Sequence, residues 1–90
     1  MSDSAEAVRR VIAEETGREL HHLGLETNLR RDLGLDEEDV AHILREVESE
    51  LDVVFDADAP AEVDTVGRLI RMAQLQRGGL PFRRRTRTVR

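Results

Sequence analysis

The chain contains no cysteine and no lysine. Without cysteine it has no disulfides, no thiolate zinc sites and no cysteine nucleophile, a composition compatible with a reducing compartment. Without lysine every basic charge is an arginine, which keeps bidentate pairing available. No apolar run approaches the ~20 residues of a membrane-spanning helix. Met1 to Glu6 lack the basic and apolar regions of a secretory signal. The expectation is a soluble, cytoplasmic protein. The motifs G-x-S-x-G, H-E-x-x-H and the P-loop are also absent, and no spacing pairs a nucleophile with a base. The acidic run lacks the D-x-D-x-D-G spacing of a calcium loop. The expectation is therefore a non-enzyme with no cofactor and no metal. His21 and His22 are adjacent, which predicts that they point different ways and do not share an ion, and His42 is solitary in the sequence.

Ninety residues allow one small domain, and a domain this size buries only about 60% of its unfolded surface. Its net charge of −5 hides a split. Residues 1–76 hold all 19 acids against 8 arginines, or −11, whereas residues 77–90 hold 6 arginines and no acid, or +6. Residues 1–76 are expected to form a helical domain and residues 77–90 a flexible Arg-rich tail.

Helical periodicity dominates the body. Residues 4–16 predict a first helix with Ser4 as N-cap, an apolar stripe of Ala5, Val8, Val11 and Ile12, and Gly17 as its stop. Residues 17–35 form a long connection whose six leucines, at 20, 23, 25, 29, 33 and 35, are expected to fold back over the helices. Asp36 is the expected N-cap of the second helix, with Asp39 three residues on and three acids in the first turn, where the helix dipole favours them. Val40, Ile43, Leu44, Val47 and Leu51 then make a core stripe. Residues 57–62 allow a short third helix around Pro60. Asp64 or Thr65 caps a last helix, which presents Val66, Leu69, Ile70 and Ala73 inward and ends at Gly78-Gly79 and Pro81. The expected fold is all-α, a four-helix bundle of three main helices and one short one.

The run Thr27-Asn-Leu-Arg-Arg-Asp-Leu-Gly-Leu-Asp36-Glu-Glu-Asp-Val resembles the segment T-x-L-x-x-D-L-G-x-D-S-L-D-x-V of acyl carrier proteins. Val47 to Asp52 and Asp64-Thr65-Val66 resemble the family's end of helix two and its lead into the last helix. The resemblance covers about residues 5–74 and implies the carrier fold, including a long structured first loop. In that family the serine after the aspartate carries 4′-phosphopantetheine. Here Glu37 follows Asp36, and Glu38 stands at the family's next leucine. A carboxylate side chain cannot form the serine's phosphodiester, so the resemblance implies the fold while the residues argue against carrier chemistry. Glu37 is either a fixed charge replacing the phosphodiester at a helix N-terminus or simply a residue suited to a first helical turn.

The resemblance also implies a partner-binding face on helix two, formed here by Asp36, Glu37, Glu38, Asp39, Ala41, His42, Arg45 and Glu48. His42 stands where an acid is common and Arg45 where an apolar residue is common. The acids Asp32, Asp36, Glu37, Glu38, Asp39, Glu46, Glu48 and Glu50 form either an electrostatic dock or a solvated face. In the tail, Leu80 and Phe82 flank Pro81 as an apolar anchor, with Arg83, Arg84, Arg85 and Arg87 following. The tail reads as a docking motif, a strand added to a partner sheet, a fold-back onto the acidic body, a nucleic-acid contact that the −11 body disfavours, or a solubilising end.

The leading expectation is a pseudo-carrier, a protein-docking or regulatory module of a biosynthetic or regulatory assembly. It would be a monomer or associate weakly head to tail, with no membrane contact. One alternative is a noncovalent acyl or lipid carrier lined by Leu29, Leu33, Ile43, Leu44, Val47, Phe55 and Leu69. Another is a nucleic-acid adaptor acting through the tail.

Overall fold

The structure, a computed structural model, describes residues 4–79. Four α-helices account for most of them: α1 (Ser4–Thr16), α2 (Glu37–Leu51), α3 (Ala59–Glu62) and α4 (Val66–Gly79). Among the described residues no strand forms, only one antiparallel bridge between Asn28 and Thr65. The expected all-α four-helix bundle is the observed one. α1 packs on α2 and α4, and α2 carries the short α3.

α1 buries Ala7, Val8, Val11 and Ile12. Ala5, expected in that stripe, is half-buried at the margin of the core. Gly17 ends the helix in the left-handed region at φ 76, and its N–H donates to the Ala13 carbonyl at 2.8 Å. A residue with a Cβ is strained in that conformation, which is why glycine serves as a helix stop.

The 17–35 connection is ordered, though not by all six leucines. Only Leu23 and Leu29 are fully buried; Leu33 and Leu35 are partly buried against the core, while Leu20 and Leu25 are exposed. Hydrogen bonds hold much of the rest. A 3-10 turn over Leu20–His22, which the apolar pattern does not predict, is clasped to α1 by Arg9. The Arg9 Nε donates to the Leu23 carbonyl at 3.1 Å and its Nη2 to the Leu20 carbonyl at 3.0 Å. The loop also docks on the start of α4. There the N–H groups of Val66 and Gly67 would lack intrahelical acceptors; they donate instead to the carbonyls of Thr27 (3.0 Å) and Leu25 (2.9 Å). Leu29 N–H returns a bond to the Asp64 carbonyl at 2.8 Å.

The C-terminal half follows the pattern with two shifts. α3 starts at Ala59 rather than 57, with Pro60 in its first turn, where a missing N–H costs nothing. Thr65 caps α4 by accepting the Arg68 N–H at 3.1 Å. Val66, Leu69, Ile70 and Ala73 are buried as expected. Gly78 and Gly79 do not stop α4 but belong to it: glycine lowers helix propensity by about 1 kcal/mol without forbidding the conformation. The boundary expected at 76/77 thus falls within the last turn of α4. Leu80, Phe82, Arg83, Arg84, Arg85 and Arg87 lie outside the described residues.

The residues proposed to line a lipid cavity, Leu29, Ile43, Leu44, Val47, Phe55 and Leu69, belong to one packed core, with Leu33 partly buried against it. Among the described residues, no helix is long and apolar enough to cross a membrane.

Candidate functional site

The start of α2 is built as its sequence predicts. Asp36 accepts the Asp39 N–H at 2.9 Å, and the Asp39 carboxylate accepts the Asp36 N–H at 3.2 Å, a reciprocal capping box. Gly34, in the left-handed region at φ 72, turns the chain into this cap. Glu37 and Glu38 follow immediately. Both are exposed, and neither has a side-chain partner among the described residues. Four carboxylates thus crowd the positive end of α2, two tied into the capping box and two outside it.

The remaining candidates divide between two sides of α2. Ala41, Arg45 and Glu48 border a shallow concavity of about 240 Å³ shared with Phe55, Ala57 and Pro60 beside α3. Asp39 and His42 border another, of about 310 Å³, shared with Glu15, Arg18, Leu33 and Leu35 between α1 and the loop. The structure therefore joins all of them along one helix but does not gather them into one pocket.

Several acids of the expected patch carry structural duties. Asp36 and Asp39 cap α2. The Glu48 carboxylate, half-buried, accepts the Phe55 N–H at 2.8 Å. Asp32 accepts the Asn28 N–H at 2.8 Å, and Glu50 lies 3.6 Å from Arg10. Glu37, Glu38 and Glu46 are the acids of this patch for which no such bond forms among the described residues.

Two expectations about histidine need correction. His42 is solitary only in sequence: its Nε2 lies 3.0 Å from Glu15 Oε1 on α1, and Glu46, one turn along α2, completes a cluster whose ligand atoms lie within 4.8 Å of one another. His21 and His22 do not diverge. The 3-10 turn winds their rings to 4.2 Å between centroids and groups them with Glu19. The i, i+4 spacing of His42 and Glu46 is visible in the sequence; the approach of Glu15 from α1 is not.

Comparison with known proteins places this geometry. The family model described as "Phosphopantetheine attachment site" matches residues 6–73, which include α2 and its capped N-terminus. The chain is 36% identical over 63 residues to "Acyl carrier protein 3" of Ralstonia nicotianae, covering 70% of this chain and 72% of that protein. It is 29% identical over 68 residues to "Acyl carrier protein" of Trieres chinensis, covering 76% of this chain and 85% of that one. On the extent of the family match, and on the all-α four-helix fold that the resemblance implied, the chain belongs to the acyl carrier protein family.

Proposed function

We propose that this chain is a docking module of the carrier family that holds no covalent phosphopantetheine. Glu37 takes the position of the attachment serine. The observation that carries this reading is the exposed, unpartnered Glu37 directly after the Asp36 cap. A carboxylate there has no hydroxyl to accept a phosphopantetheinyl group, and in the first turn of α2 it is favoured by the helix dipole. The partner is a protein of a biosynthetic or regulatory assembly. It meets Glu37, Glu38, Ala41, His42 and Arg45, with Asp36, Asp39 and Glu48 shaping the face from beneath. Residues 80–90, which carry five arginines, offer the partner a second contact beyond the end of α4. The packing of the supposed lipid-lining residues in the core favours docking over noncovalent acyl carriage.

The test uses the full chain and its Glu37→Ser variant. Each is incubated with coenzyme A and a broad-specificity phosphopantetheinyl transferase and then weighed intact. An unmodified native chain together with a modified Glu37→Ser supports the reading. Modification of the native chain contradicts it.

A further inference from the structure

We infer that Glu15, His42 and Glu46 form a binding site for a divalent transition ion of the zinc class, joining α1 to α2. The three ligand atoms lie within 4.8 Å of one another. Tetrahedral zinc, with metal–ligand distances near 2.0 Å, places neighbouring ligand atoms about 3.3 Å apart, and the His42 Nε2 to Glu15 Oε1 separation is already 3.0 Å. The Glu46 ligand atom, one helical turn from His42 on the same face, lies within 4.8 Å of both.

The donor set selects the ion. One imidazole nitrogen and two carboxylates suit zinc and its neighbours better than magnesium or calcium, which take oxygen ligands. Two carboxylates and a neutral imidazole carry −2, matching a divalent charge. Both helices are held by the common core, so the donors start from rigid backbones. Glu15 and His42 also line the 310 Å³ concavity, from which water or a partner's donor can reach the ion and complete the shell. Arg18 lines the same concavity. It is an exposed side chain and can turn away.

Helix electrostatics point the same way. Glu14 and Glu15 stand in the last turn of α1, which has no basic residue. A carboxylate at that negative end is disfavoured, so helix stability does not account for Glu15 being there. A bound cation offsets both its charge and the end of the helix dipole. The competing cluster, Glu19 with His21 and His22, offers two imidazoles but sits on a three-residue 3-10 turn. Its His21 and Glu19 side chains are 71% and 69% exposed, against 49% and 33% for His42 and Glu15.

Zinc chloride titrated calorimetrically into the full chain tests the assignment, with magnesium and calcium chloride as comparisons. The variants are His42→Gln, Glu46→Gln and the double change His21→Gln/His22→Gln, each checked for native helix content by circular dichroism. The expected result is one zinc ion per chain, bound at least tenfold more weakly in His42→Gln and Glu46→Gln, the scale of losing even an outer-shell partner. Binding persists in the His21→Gln/His22→Gln variant, and magnesium and calcium bind more weakly than zinc. No zinc binding, or binding lost only with His21 and His22, overturns it. Cobalt(II) gives a second readout: its visible absorption shows nitrogen ligation in the native chain, and loss of that signature in His42→Gln is expected. A spectrum unchanged by His42→Gln contradicts the site.

Discussion

Glu48 on α2 accepts a hydrogen bond at 2.8 Å from the backbone N–H of Phe55, seven residues on in the chain that returns toward α3. With the Val53 N–H donating to the Glu48 carbonyl at 3.2 Å, this contact helps fix where the segment after α2 runs, and Phe55 is buried in the core. Glu48 thus braces the scaffold as well as bordering the concavity beside α3. Glu48→Ala removes a charged acceptor from a part-buried N–H and is expected to cost about 1–3 kcal/mol. Glu48→Gln, which keeps a carbonyl oxygen in reach, is expected to lose less. Urea denaturation of both variants separates the two.

The reciprocal bonds between Asp36 and Asp39 make the start of α2 sensitive to one side chain. Asp36→Ala is expected to lower stability by about 0.5–2 kcal/mol, the usual value of an N-cap. Thermal unfolding by circular dichroism measures it. If the partner reads the first turn of α2, partner affinity falls as well, because Glu37 and Glu38 lose their fixed frame.

Arg9 holds two carbonyls of the first loop at once. Arg9→Met keeps much of the side chain's length and apolar stem but removes both donors. It is expected to leave the bundle folded while speeding amide exchange at His22 and Leu23, whose N–H groups close the 3-10 turn onto Glu19 and Leu20. Exchange rates equal to those of the native chain would show that the leucines alone order this loop.

Gly67 lies in the first turn of α4 against the loop. A Cβ there would meet the Leu25 carbonyl oxygen at 3.0 Å and the Leu25 Cβ at 3.3 Å. In an open helix, Gly→Ala is worth about 1 kcal/mol of added stability. Here the Leu25 carbonyl also accepts the Gly67 N–H at 2.9 Å and cannot retreat without losing that bond. Gly67→Ala is therefore expected to destabilise by about 1–3 kcal/mol, as overpacking does, and to lower the urea midpoint.

Much of this fold is legible in the sequence because its helices carry local signals. Asp36 with Asp39, Gly17, Thr65 and the stripe from Val40 to Leu51 each act within one or two turns, so periodicity and capping rules find them. What escapes is long-range. The clasp of Arg9 on Leu20 and Leu23 spans 11 and 14 residues, and the Arg30 side chain reaches the Pro60 carbonyl. An apolar count assigns the loop's order to leucines, two of which turn out to be exposed, because it does not see backbone carbonyls paired with distant donors. The same blindness makes His42 look solitary. Its helix-mate Glu46 is local, whereas Glu15 arrives only when α1 packs on α2. Glu37 is the opposite case, since its identity and its place after the cap are both read directly from the chain.

The most direct test of the central claim is the intact mass of the protein purified from its native cells, measured without added enzyme or coenzyme A. A chain that docks through α2 and has Glu37 at the attachment position has the mass of the polypeptide with no pantetheine arm. A mass raised by a covalent phosphopantetheinyl group, mapped by fragmentation to any residue of α2 or the loop before it, would contradict the account.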